Sequence, residues 1–319
     1  MNPPRKVSFW KRQRYRLDAA LLFSLVWVFE RLGLDRASSV GAWFGRHVLG
    51  PVLRRPHELA TLRTAFPDLD EAELLRIRDD MWANVGRVIA EVGLLDQFGG
   101  PEGRARFTIE GYENVAAARQ PGREPIIVSG HFANWEVAFV AGRHLGIEFA
   151  GVVRPPNNPW VAKWIADKRA RVGMTTQIPK GPDGTRQLFA TIRQGKAIGL
   201  MIDQHLAEGI PVPLFGVEAM TTHAPATFAR KLGVPVLPVG VRRLEGSHFR
   251  IIFYPPQWAA NTDNAERDIL ELTTALNRFV EGEVRANPAH WLWMHQRFKP
   301  VEQLTRRANR VVGQAEPAP

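Results

Sequence analysis

Three features of this sequence predict an α/β layer fold, a mainly parallel mixed sheet flanked by helices, with a helical membrane anchor ahead of it. Beyond Pro101, short apolar runs of strand length alternate with stretches of helical period. From about residue 57 to 98 the apolar spacing is helical throughout. The first sixteen residues, MNPPRKVSFWKRQRYR, carry six Lys or Arg and no acid, and an apolar run follows them directly. With 45% apolar and 23% charged residues in 319, the chain has the composition of a globular protein and can bury a sizeable core.

The uncharged part of the N-terminal run, Ala19 to Phe29, is eleven residues long and is bracketed by Asp18, Glu30 and Arg31. A spanning helix needs about twenty apolar residues, and no small-residue cleavage site follows of the kind a signal peptide has. Together with Trp27 and a second amphipathic stretch, Val40 to Leu53, the run predicts membrane-associating helices over 1–56 that lie in the lipid interface. The alternative is a buried N-terminal helix pair with a solvated basic face. The positive-inside tendency puts the tail in the cytoplasm, so a true span would place the remaining chain outside; a helix that only dips into the membrane avoids this.

In LDEAELLRIRDDMWANVGRVIAEVGLLDQF the acids come early, where the helix dipole favours them, and Asp68 or Asp70 can cap. Gly99, Gly100 and Pro101 then break the pattern. Strands are predicted at 107–110, 125–129, 149–153, 197–202, 212–215, 234–239 and 249–254, with helices at 134–145, 160–172, 185–194, 224–232 and 263–285. One catalytic domain over 57–305 and a disordered tail over 306–319, ending GQAEPAP, complete the organisation.

The net charge of +10 and pI near 10.4 call for an anionic partner, although removing the basic tail leaves only +4. With no cysteine, neither a disulfide scaffold nor a thiolate metal site is available. The nine histidines lack ligand spacing: His290 and His295 stand five apart and H-E-x-x-H is absent, so no metal is expected.

The stretch I-I-V-S-G-H-F-A-N-W-E at 126–136 delivers His131 from the end of a strand, where sites form in open α/β sheets. Gly130 permits a tight turn and Asn134 can cap a following helix. On a continuous helix His131 and Glu136 would point about 140° apart, so the two can meet only if His131 sits in the loop and bends back. A neutral imidazole held by a carboxylate removes a proton from a hydroxyl. The alternative is a structural histidine in a turn. No G-x-S-x-G elbow is present, and none is needed if the substrate brings its own hydroxyl.

H-F-A-N-W-E after an apolar strand resembles the H-x4-D/E motif of the lysophospholipid acyltransferase-like superfamily. More narrowly, R-T-A-F-P at 63–67, V-V-R-P-P-N-N-P at 152–159, M-I-D-Q at 201–204, V-P-L-F-G at 212–216 and H-W-L-W-M-H-Q-R-F-K at 290–299 resemble, in order, the bacterial late (lauroyl/myristoyl) acyltransferases of lipid A biosynthesis. The resemblance covers about residues 10 to 300. It implies a glycerolphosphate acyltransferase-like fold, with His131 as general base and Glu136 as its orienting carboxylate. It further implies a lipid A precursor hydroxyl as acceptor and an acyl-carrier-protein or coenzyme A thioester as donor, with no cofactor. The implied location is the cytoplasmic face of a bacterial inner membrane, with acyl carrier protein and an anionic membrane surface as partners.

Arg154 is then the candidate for oxyanion stabilisation or for an acceptor phosphate, against a plain surface arginine before Pro-Pro. Asn158 is a candidate site residue or the organiser of its loop, and Asp203 and Gln204, at a strand's carboxyl end, are either site residues or loop organisers. The turn Gly181–Gly184 precedes a helix, so its amides and Arg186 could meet a phosphate, although no G-K-[ST] ending makes it a Walker loop. Trp291 and Trp293 read as packing and interfacial residues of a closing C-terminal segment, since no RNP or OB pattern supports nucleic-acid binding. Other acceptors (a lysophospholipid, an aminolipid, an inositol-mannoside lipid) keep the same chemistry. A non-catalytic basic membrane-binding protein is the rival from another class.

Overall fold

In the computed structural model, which describes residues 8–298, the N-terminal third is helical. α1 (Phe9–Leu32) and α2 (Leu34–Phe44) are followed by a π-helical turn at Gly45–Leu49, α3 (Gly50–Leu53), α4 (Pro56–Ala65) and α5 (Glu71–Gly93). Asp70 caps α5 by accepting from the Glu73 amide at 2.8 Å. A 3-10 turn at Leu95–Phe98 and α6 (Pro101–Arg104) lead into the layered part. The Gly-Gly-Pro break thus falls where the periodicity stops.

β1 (Phe107–Glu110), α7 (Tyr112–Ala118), β2 (Ile126–Ser129), α8 (Val137–His144), β3 (Phe149–Val153), α9 (Pro159–Arg171), β4 (Thr176–Pro179), α10 (Pro182–Arg193) and β5 (Ala197–Met201) alternate along the chain. The hairpin β6 (Ile210–Leu214) and β7 (Val217–Thr221), α11 (Ala224–Leu232), β8 (Val236–Arg243), β9 (Phe249–Phe253) and α12 (Ala265–Ala286) follow, and a 3-10 turn closes at Pro288–His290. Seven strands form one sheet in the order β1-β9-β8-β2-β5-β3-β4; every pairing is parallel except β8 with β9. β6 and β7 make a separate antiparallel pair.

β2 lies in the middle, between β5 and β8, and all four of its residues are buried, as its unbroken apolar run requires. β4 and β7 have no counterpart among the predicted strands. TQIP is mostly accessible and lacks alternation, and VEAMT carries too little apolar signal to separate it from a turn. β8 runs on to Arg243 because its last two arginines find carboxylates, Arg242 on Glu283 and Arg243 on Glu91.

The N-terminal run packs one side of α1 onto the domain and leaves the other exposed. Ala19, Val26 and Phe29 are buried, Phe23 meets Trp164 of α9 at 5.8 Å between ring centroids, and Asn158 donates to the Tyr15 carbonyl at 2.7 Å. The opposite side exposes Trp10, Leu17, Leu21 and Trp27. Among the described residues no helix is long and apolar enough to cross a membrane. The tail at 306–319 lies outside the described residues.

α2 and its π turn cross α5 with almost no side chain between them. A Cβ on Gly86 would stand 2.0 Å from the Gly41 carbonyl oxygen and 2.8 Å from the Gly45 Cα. Only glycines allow that approach, which sets α5 directly behind the turn that follows β2.

Candidate active site

After Ser129 the chain does not enter a helix at once. Residues 130–136 form an irregular turn, and α8 starts at Val137, three residues later than the apolar spacing predicts. Gly130 packs so tightly that a Cβ there would meet the Phe132 ring at 2.4 Å. Ala133 takes a left-handed φ of 46°, a strained value for alanine. Both of its peptide groups are occupied: its amide donates to the His290 carbonyl at 2.8 Å, and its carbonyl accepts from the Asn84 amide group at 2.9 Å. Asn134 caps the turn by accepting from the Glu136 amide at 3.1 Å, and its own amide group donates to Glu91 at 2.8 Å.

His131 therefore sits in the loop, as the geometric argument required, but its carboxylate partner is Asp203. His131 Nδ1 lies 2.9 Å from Asp203 Oδ1, and the His131 amide donates to Asp203 Oδ2 at 2.9 Å. Trp291 Nε1 donates to that second oxygen at 2.8 Å. Asp203 is 3% exposed. Burial alone would raise its pKa; attraction to His131 and the hydrogen bonds from His131 and Trp291 outweigh it and hold the carboxyl well below its ordinary range. An ionised carboxylate only accepts, so in the neutral ring Nδ1 carries the proton and Nε2 presents its lone pair outward. There it meets the Gln204 amide nitrogen at 3.3 Å, which also lies 2.8 Å from His295 Nε2. Trp135 packs edge-on against the imidazole at 5.0 Å.

Glu136 points elsewhere. Arg169 of α9 grips both of its oxygens, one through Nε at 2.8 Å and the other through the guanidinium fork, and Trp135 Nε1 donates at 3.2 Å. Among the described residues no hydrogen bond joins Glu136 to His131, and three donors already occupy the Glu136 carboxylate. The expectation that Glu136 orients His131 thus meets a different arrangement: His131 is held by Asp203 and Glu136 by Arg169, with Trp135 touching both residues.

The remaining predicted residues separate. Gln204 touches the histidine. Asn158 is buried and caps α9, accepting from the Trp160 and Val161 amides, so it shapes its loop and ties down α1. Arg154 is exposed just past the carboxyl end of β3, at the same sheet edge as His131, and has no hydrogen bond or ion pair among the described residues. Arg186 is exposed on α10 and pairs with Asp183 at 3.2 Å.

Sequence reasoning missed three contributors: Arg169, His295 and the buried Glu91. Glu91 accepts from Ser38 at 2.6 Å, from Arg243 at 2.6 and 3.0 Å, and from Asn134, so it links α2, β8 and the turn. Its place on the apolar stripe of α5, three residues after Val88 and four before Leu95, was the available signal. Trp291 packs in the core, as its sequence context predicts, and in addition donates to Asp203.

An apolar pocket lies against the sheet beside this turn, lined by Ile127, Ser129, Phe139, Phe149, Gly199 and Met201. Its volume of about 20 Å³ leaves room for little more than a water, so a chain entering it must move Phe139 or its neighbours.

The family model described as bacterial lipid A biosynthesis acyltransferase matches residues 6–300. The chain is 25% identical over 285 residues to the lipid A biosynthesis palmitoleoyltransferase of Escherichia coli K12, covering 86% of this chain and 89% of that protein. It is 26% identical over 289 residues to the lipid A biosynthesis lauroyltransferase of the same organism, with the same coverage. A lipid A biosynthesis acyltransferase of Haemophilus influenzae is 23% identical over 266 residues, covering 81% of each chain. Among solved structures, the 1-acyl-sn-glycerophosphate acyltransferase of Thermotoga maritima aligns over 84% of this chain and 98% of that one, with a TM-score of 0.37 and 14% identity.

Proposed function

Because the chain belongs to the bacterial lipid A biosynthesis acyltransferase family, we propose that it moves a fatty acyl group from a thioester, presented by acyl carrier protein, to a hydroxyl of a lipid A precursor. His131 is the general base and Asp203 its orienting carboxylate. The single observation that carries this assignment is the His131–Asp203 contact at 2.9 Å, on a buried acid bonded by three donors.

The acceptor hydroxyl approaches Nε2 and displaces the Gln204 amide. Nε2 takes the proton as the oxygen attacks the thioester carbonyl. The tetrahedral oxyanion collapses, the carrier thiolate leaves, and the imidazolium returns the proton to it; an ester and a free thiol result. Asp203 fixes the tautomer throughout and stabilises the imidazolium. Arg154, a cation with no ion pair among the described residues, stands at the same sheet edge and serves the oxyanion or an acceptor phosphate. Glu136 and Arg169 hold the far side of the turn. The apolar pocket beside Ser129 takes the start of the acyl chain once Phe139 yields.

The basic tail and the exposed apolar side of α1 support a place on the cytoplasmic face of a bacterial inner membrane, with the helix lying in the interface as an anchor. Acyl transfer from acyl carrier protein to a lipid A precursor, assayed with His131→Ala in a folded protein, tests the reading. The expected loss is about a hundredfold or more, and unchanged turnover would refute it. If the unaltered protein acylates no glycolipid, the non-catalytic membrane-binding role is favoured instead.

A further inference from the structure

A second cavity, of about 510 Å³, opens on the other side of the catalytic turn. Trp43, Arg46 and His47 line it from α2 and the π turn, Asp80, Asn84 and Arg87 from α5, Arg243 from β8, and His290 from the last 3-10 turn. Its charges do not balance. Arg46 is matched by Asp80 at 2.7 Å, and Arg243 by Glu91. Arg87, half-buried, donates only to the Ser38 hydroxyl, at 2.9 Å, and forms no ion pair among the described residues. Burial and the neighbouring Arg243 both act to lower its pKa, with Glu91 only partly offsetting them. A guanidinium partly withdrawn from water beside another cation is unfavourable unless an anion joins it. His290 adds a second polar group at this wall, its Nδ1 buried and without a hydrogen-bond partner among the described residues.

The mouth indicates how such an anion would arrive. Trp43 is 61% exposed there, and the same helical segment turns Val40, Phe44, Val52 and Leu53 outward. A tryptophan on an apolar rim beside buried arginine suits a group that sits at the boundary between headgroups and acyl chains. We propose that this cavity binds the phosphate of a membrane-lipid headgroup, with Arg87 as its principal contact and His290 as a second donor.

The site goes beyond acyl transfer and does not need His131. It is nevertheless joined to the catalytic turn, because Asn84 and His290 hold the two peptide groups of Ala133 from the cavity's wall. The phosphate can belong to the glycolipid acceptor or to a bulk anionic phospholipid, and the two are separated by using a soluble probe for each.

The test is calorimetric titration of the full chain in neutral detergent with dihexanoyl phosphatidylglycerol below its micelle concentration and, separately, with glucosamine 1-phosphate. Saturable binding of at least one probe is expected, weakened about tenfold or more in Arg87→Gln, as loss of a charge-assisted bidentate contact implies. The tighter probe names the source. Ala83→Phe, which fills the cavity and keeps the charge, is expected to weaken the same probe, so a failure of Arg87→Gln to fold leaves a second arm. His131→Ala is expected to bind as the parent does, which separates this site from the catalytic assignment. No saturable binding of either probe, or binding unchanged in both cavity variants, would overturn the proposal.

Discussion

A carboxylate that steers an imidazole must be dry enough to bind firmly and bonded enough to stay ionised. Asp203 meets both conditions, with three donors on two oxygens at 3% exposure. Asp203→Asn keeps the shape but allows the wrong tautomer, and its kcat is expected to fall by about 10²–10⁴ with little change in Tm. The histidine was legible from one strand-to-turn motif, and Asp203 as a candidate at a strand's carboxyl end; their pairing was not, because 72 residues separate them and no local spacing connects them. His290 offers a separate check at this scale. Burial, with Arg243 and Arg242 nearby, pushes its pKa down to about 4 from 6.5. The folded state therefore resists a proton that the unfolded state accepts below about pH 6.5. Stability should fall as pH drops from about 6.5 to 4, by about 2–3 kcal/mol in all. Chemical denaturation across that window should show a shallower decline for His290→Gln.

At the scale of elements, the N-terminal helices brace the turn. Glu91 of α5 is the counter-charge of buried Arg243 and the acceptor for Asn134. Glu91→Gln strands a buried guanidinium, and denaturant unfolding should show a loss of about 3–5 kcal/mol. Gly86→Ala brings a methyl to 2.0 Å from the Gly41 carbonyl oxygen, so α2 must move off α5; a loss of about 1–3 kcal/mol is expected by the same measurement. Helix placement was readable from the 3.6-residue period, and 224–232 was predicted to the residue. The crossing of α2 on α5 was not, since glycines in a helix announce close approach only when the partner is known. Likewise β4 and β7 follow from neighbours that complete their hydrogen bonds, not from any pattern of their own.

At the scale of the molecule, charge and apolar exposure lie toward the N-terminus, while the candidate site lies at the carboxyl edge of the sheet. Composition announced the first; the order of six short motifs, of which H-F-A-N-W-E is one, announced the second. Vesicle flotation should show binding that strengthens with anionic lipid and weakens with salt. A paired Trp10→Glu and Leu21→Glu variant, altering two exposed positions, should lose most binding even to neutral vesicles. The measurement that tests the central claim most directly is a side-by-side assay of acyl transfer and thermal unfolding for Asp203→Asn and Glu136→Gln. If Asp203 is the partner of His131, Asp203→Asn loses about 10²-fold or more in kcat with its Tm kept. Glu136→Gln, which leaves Arg169 half-buried without its counter-charge, then loses stability first and keeps most of its turnover per folded molecule. The reverse pattern, with full activity in Asp203→Asn and a dead but stable Glu136→Gln, would contradict the assignment.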